Sequence, residues 1–138
     1  MKYYSVRMSL LKSKGLKETV PRLLVLELLS EGAHTPQALE KKLRKCGSQI
    51  GIVTVYRVLE ALEHALLVHR HPLEGTYSAC QLPDLPGHHV LLHCTSCNFV
   101  RETHDPDLCH RENVIAKKMG FAPQQHVSEI EGLCISCR

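Results

Sequence analysis

Two Cys-x-x-Cys pairs, Cys94-Thr95-Ser96-Cys97 and Cys134-Ile135-Ser136-Cys137, hold the most legible chemistry in this chain. Two intervening residues let the backbone turn back, so both sulfurs of a pair reach one ion. Two such pairs read as a tetrahedral four-thiolate zinc site, closed and structural in kind. The gap between the pairs is wider than in a compact zinc ribbon, so the site is expected to clip a whole subdomain rather than one hairpin.

A second group of ligand types clusters around Leu82-Pro83-Asp84-Leu85-Pro86-Gly87, where two prolines and a glycine break both helical and strand periods. His69, His71 and Cys80 precede this segment; His88, His89 and Glu102 follow it. A site drawing on both sides of a hinge can fix the angle between domains. A thiolate with imidazoles and a carboxylate suits Zn(II), and the thiolate argues against an all-nitrogen/oxygen iron or manganese site.

The elements that must carry these residues follow from periodicity and punctuation. A short helix over 5–14 ends at Gly15. Thr19-Val20-Pro21 opens a second, strongly apolar helix, and Thr35-Pro36 opens a third that Gly47 closes. A turn over 48–51 leads to a fourth helix from about Val53 to Leu66. Two short strands, His69–His71 and Thr76–Ala79, then flank Leu73-Glu74-Gly75. Three helices, a tight turn into a helix and a small hairpin give the order of a winged helix-turn-helix. The helix after the turn enters the major groove in that motif. Thr54, Tyr56 and Arg57 stand on it, with Ser48 and Gln49 in the turn before it, where hydroxyl and amide groups reach phosphate. Beyond the hinge, His88–Cys94 and Asn98–Thr103 read as strands. Asp105-Pro106-Asp107 starts a helix to about Met119, and 122–133 gives a third strand. The expectation is an α+β chain with a winged-helix domain over 1–81, a hinge over 82–87 and a small metal-binding α+β domain over 88–138.

Charge divides the same way. Residues 1–71 carry twelve Lys/Arg against six Asp/Glu and residues 72–138 carry five against eight, which together give the net +3. A basic half suits polyanion contact, and a His- and Cys-rich acidic half suits metal chemistry. The seven cysteines are an odd number, no signal peptide precedes them, and no apolar run approaches membrane-spanning length. These features point to a reduced, cytoplasmic setting, with cysteines holding metal rather than forming disulfides and with no membrane partner. Cys46 and Cys109 read as buried small apolar residues. His110-Arg111-Glu112 has the His-x-Glu form of zinc deaminases. However, Leu133 stands where a Pro precedes the downstream Cys pair in those enzymes, and the second pair would be left unused. The expectation is therefore no catalysis and no small-molecule substrate. A DNA-binding protein with structural zinc alone remains a third class, which a second, weaker zinc site would exclude.

Gly15-Leu16-Lys17-Glu18-Thr19, Arg22 and Ile50 through Leu59, with the two Cys pairs, resemble the Fur family of metal-responsive regulators over nearly the whole chain. Tyr77 through Cys80, Asp84, Pro86, His88, Val100-Arg101-Glu102, Lys118 through Phe121, His126-Val127 and Glu129 through Cys134 are most similar to its zinc uptake regulators (Zur). The resemblance implies that 88–138 is also a dimerisation domain, and that the chain is a homodimer that represses uptake genes at operator DNA when zinc binds. It also implies a regulatory zinc held by His69, Cys80, His88 and Glu102 beside the structural one, with His71 and His89 the nearest substitutes. Two departures from the iron-sensing pattern make iron or peroxide sensing the alternative. His88-His89-Val90-Leu91 lacks the last His of a His-His-Asp-His run, and Val114 stands where a Glu is expected. His34 matches a ligand position in other branches.

Overall fold

The computed structural model describes residues 2–85, 88–123 and 128–138, with side chains from Ser5 onward. The architecture is α+β, and the chain forms two compact units, one through Cys80 and one from Gln81. The proposed hinge includes Pro86 and Gly87, which lie outside the described residues, as does His126.

The first unit runs α1 (Lys2–Ser13), α2 (Val20–Glu31), α3 (Pro36–Lys45), α4 (Ile52–His64), β1 (Val68–His71) and β2 (Thr76–Ala79). Each helix start has a local cause. Proline sits in the first turn of α2 and of α3, where a missing N–H costs nothing. Thr35 Oγ1 accepts from the Ala38 N–H at 3.1 Å, capping α3. Gly47 at φ +81 ends α3 by letting its own N–H and that of Ser48 reach back to the Arg44 and Leu43 carbonyls. α4 stops at His64, short of the expected Leu66, because Leu66 itself takes a left-handed φ of 60 and turns the chain into β1. Leu11, Leu29, Leu39, Val55, Leu59 and Leu62 form the centre of the core and are fully or almost fully buried. β1 and β2 pair antiparallel with His69 opposite Ser78, a two-stranded wing after four packed helices.

The second unit runs β3 (Val90–Cys94), β4 (Val100–Thr103), α5 (Pro106–Lys118) and β5 (Ser128–Gly132). Its sheet has the order β4-β3-β5. β3 and β4 are antiparallel with Leu91 opposite Glu102; β3 and β5 are parallel with Cys94 opposite Gly132. Parallel pairing needs a crossover, and α5 lies in the connection between β4 and β5. Asp105 Oδ1 caps α5, accepting from the Asp107 and Leu108 N–H groups at 3.0 and 3.2 Å.

Leu62 is fully buried. Leu62→Ala should therefore cost about 2–5 kcal/mol, read as a fall in the urea midpoint. Val53→Ala, on an exposed side chain of the same helix, should move it little.

Candidate metal centres and nucleic-acid helix

The four cysteines of the two pairs converge within the second unit. Cys94 ends β3, Cys97 lies in the turn toward β4, and Cys134 and Cys137 follow β5. Asn98 at φ 61 closes the first turn, its N–H reaching the Cys94 carbonyl at 3.0 Å. Parallel pairing of β5 with β3 then delivers Cys134 and Cys137 to the same end of the sheet. The four sulfurs lie within 4.8 Å of one another, with Cys97 and Cys134 at 3.8 Å. Zinc–thiolate bonds of about 2.3 Å demand sulfur–sulfur edges of about 3.8 Å. A disulfide needs roughly 2 Å. The donor set and its spacing fit a tetrahedral thiophilic ion, and all seven cysteines are free thiols.

Local dipoles already prepare one sulfur. The Cys134 N–H donates to Cys94 Sγ at 3.4 Å, and with the Cys97 N–H it pulls the Cys94 thiol down to about 6. At Cys137 the Ser96 hydroxyl acts in the same direction, but the neighbouring Cys134 and Cys97 sulfurs outweigh it and push the thiol up to about 12. Cys97 is also raised. Crowded sulfurs cannot all ionise without a cation among them, so metal uptake near neutral pH must release protons.

The other ligand types form two donor pairs, one in each unit. In the first, a His69 ring nitrogen and Cys80 Sγ lie within 4.8 Å of one another. The Cys80 N–H donates to the Leu67 carbonyl at 2.8 Å, placing Cys80 just past the wing. His71 turns to the hairpin interior, its Nε2 at 2.8 Å from Ser78 Oγ. In the second unit the partner of Glu102 is His89, through Nδ1. His89 Nε2 donates to the Leu85 carbonyl at 3.1 Å. That bond leaves Nδ1 of the neutral ring as a lone pair facing a carboxylate. Two acceptors face to face require a cation between them, either a proton or a metal, and a backbone carbonyl behind the ring is the usual support of a ligating His. Glu102 is itself held in place. Its Oε2 accepts from the Gln81 N–H at 2.8 Å, and its N–H donates to Gln81 Oε1 at 3.0 Å.

His88 goes elsewhere, with Nε2 at 2.9 Å from Glu112 Oε2. The reason is strand parity. Leu91 is the cross-strand partner of Glu102, so residues an even step from Leu91 share its face. His89 meets that condition and His88 does not. Gln81 was not singled out by sequence reasoning, and Glu112 only as part of the His-x-Glu pattern, not as a partner of His88. His93, whose Nδ1 lies 3.7 Å from Glu131 and 4.0 Å from Glu129, also had no predicted partner. The register of β3 against β5 is the signal that finds it.

On α4, Thr54, Tyr56 and Arg57 are exposed on the first turns, while Val55, Val58 and Leu59 face the core. Gln49 in the preceding turn is exposed; Ser48 is half-buried, and its Oγ accepts from the Ile50 N–H at 3.4 Å. The helix thus presents a polar, cationic edge of the kind that reads a groove. His34 is committed to the wing through backbone bonds with Tyr77 at 3.0 and 2.8 Å. Burial, and then Lys42, hold its imidazole below the ordinary range. Cys46, expected to be buried, is exposed because it occupies the C-cap of α3. Cys109 is half-buried on α5.

Residues 13–131 match the Ferric uptake regulator family, a span that takes in α2 through α5, most of β5 and both predicted ligand groups except the last Cys pair. The chain belongs to that family. It is a metal-responsive transcriptional regulator and not an enzyme, which removes the deaminase reading of His110 and Glu112. It is 37% identical over 131 residues to the ferric uptake regulation protein of Legionella pneumophila, covering 93% of this chain and 96% of that one. Its fold is similar to a zinc uptake regulator solved with zinc and DNA. The TM-score is 0.86 at 30% identity, over 98% of this chain and 92% of that one. The Vibrio cholerae ferric uptake regulator is similar at a TM-score of 0.56 and 34% identity, over 93% of this chain and 99% of that one. Among the described residues no helix is long and apolar enough to cross a membrane.

Cys134→Ser should strip the tightly held metal, seen by elemental analysis. It should also raise amide exchange across β3 and β5 while leaving the first unit protected. For the unaltered protein, metal affinity at this site, measured with Zn(II) as the probe, should weaken as pH falls from 8 to 6, because protons compete for Cys97 and Cys137, whose thiols are raised. A chelator-competition titration at both pH values measures it.

Proposed function

We propose that this family member is a cytoplasmic, zinc-responsive repressor of zinc uptake genes that binds operator DNA as a zinc-loaded homodimer. The observation that carries the zinc assignment is Cys80, whose sulfur lies within 4.8 Å of a His69 ring nitrogen. A thiolate in the sensing set favours zinc over iron or manganese. The second donor pair is His89 with Glu102, His89 taking the place of His88 in the ligand set inferred from sequence. Each pair alone leaves a tetrahedral ion half-coordinated. Both pairs on one ion make a complete set and tie the two units together, so occupancy biases the angle of the α4 helices in a dimer. That bias equals the differential affinity of the two arrangements for the ion, and operator DNA must tighten zinc binding by the same factor.

The dimer reading rests on the apolar surface of the second unit. Phe99, Ile115, Ile130, Leu133 and Ile135 are each more than half exposed. A cleft of about 620 Å³ beside the cysteines is lined by Leu92, Phe99, Ile130, Leu133 and Ile135. Residues of this kind are covered in stable assemblies. The structural zinc is proposed at Cys94, Cys97, Cys134 and Cys137, and DNA contact at Ser48, Gln49, Thr54, Tyr56 and Arg57. The relatives named for ferric uptake keep an iron-responsive reading as the alternative.

Cys80→Ser decides between them. Serine is nearly isosteric but stays protonated near neutral pH and is a poor zinc ligand. The variant should stay folded, keep its structural zinc, lose one further zinc per protomer and lose zinc-dependent operator binding. Cys46→Ser should change none of these. A normal zinc response in the Cys80 variant, or operator binding driven by Fe(II) and not by Zn(II), overturns the zinc assignment. Separately, Arg57→Ala should weaken operator binding by tenfold or more and lower the salt dependence by about one counterion, with zinc content unchanged.

A further inference from the structure

We propose that Gln37 is a positioning residue for DNA reading, holding the Tyr56 phenol so that its proton is turned outward; this rests on the reading of α4 as the DNA helix. Gln37 stands in the first turn of α3, nineteen positions before Tyr56, and its Nε2 donates to Tyr56 Oη at 3.2 Å. Its backbone is anchored. Pro36 precedes it in the first turn, and the Thr35 cap on the Ala38 N–H lies on its other side. Tyr56 is 47% exposed and is carried on α4.

The polarity of the bond carries the argument. A phenol has one proton and two lone pairs. An amide N–H donated to Oη occupies a lone pair and leaves the phenolic proton for a third group. Outside the protein the groups in reach of a groove-reading helix are acceptors: phosphate oxygens, purine N7, guanine O6 and thymine O4. Gln37 therefore sets Tyr56 as a donor and holds an exposed ring before DNA arrives, which lowers the ordering cost of the contact. A carboxylate at position 37 would do the reverse, accepting the phenolic proton and placing negative charge beside the phosphates.

The test uses the zinc-loaded full-length protein and the strongest duplex that it selects from a random pool, read by fluorescence anisotropy. Gln37→Ala should weaken binding roughly three- to tenfold, the worth of one exposed hydrogen bond. Gln37→Glu should weaken it further. Tyr56→Phe should weaken it on its own, and adding Gln37→Ala to Tyr56→Phe should cost nothing more. Zinc content and Tm should be unchanged in every variant, which separates positioning from folding. A Gln37→Ala loss that persists in full in the Tyr56→Phe background overturns the proposal, since Gln37 then acts without the phenol. An unchanged Gln37→Ala affinity beside a weakened Tyr56→Phe overturns it as well, while leaving the DNA role of α4 intact. If Tyr56→Phe and Arg57→Ala both bind as the unaltered protein does, the reading of α4 falls and this inference falls with it.

Discussion

The second unit depends on the convergence of four cysteine sulfurs at one end of its sheet. Among its described residues the buried apolar ones are few: Val90, Leu91, Cys94 and Val100. α5 buries none of its thirteen residues completely. A chain segment this short cannot offset its conformational entropy with so small a core, and such units rely on metal, disulfides or association. Crowding of Cys94, Cys97, Cys134 and Cys137 joins the β3–β4 turn to the segment after β5, which ties the three strands at their common end. The first unit has no such need. Its leucine core draws on all four helices and the wing, and each buried leucine is worth about 1.5–3 kcal/mol. The polar core of the metal unit, His89, His93 and Glu102, is affordable only because cations or hydrogen bonds satisfy it.

The helical half was legible because its signals are local. Cap residues, first-turn prolines and closing glycines act within four positions, so α2, α3 and α5 begin within a residue or two of expectation. Where a non-local choice decided the outcome, the pattern was silent. Leu66 adopts a left-handed φ between α4 and β1, two elements that pack on each other. The shared end of the four cysteines was readable from their spacing, whereas the parallel pairing that brings them there was not. The choice between His88 and His89 turned on the register of β3 against β4. A shift of one residue exchanges the two faces of a strand, and no property of two adjacent histidines reveals which faces Glu102.

Sequence identity and ligand chemistry point in different directions here for a physical reason. Identity of 37% over 131 residues sums mostly over positions that set packing, capping and turns. Metal preference rests on a handful of donor atoms that hardly enter that sum. Val90 and Leu91 stand where the resemblance places the acid and the last imidazole of an iron-sensing run, and here they are buried as ordinary strand residues. If Cys80 is a ligand as proposed, its sulfur says more about the ion than the overall likeness does.

The parallel pairing of β3 with β5 also separates the two units in time. Antiparallel neighbours such as β1 and β2 meet after a turn of a few residues, and the helices of the first unit pack on near neighbours in the chain. β3 must wait for α5 and the whole of β5 before its second edge is covered. Contacts of such high order form slowly and late. During synthesis the first unit can complete its core while the second remains open. If the four cysteines take up a metal as proposed, a chain made while that metal is scarce would carry a finished helical unit on an unfinished second unit, exposed to proteases until Cys134 and Cys137 find an ion to share.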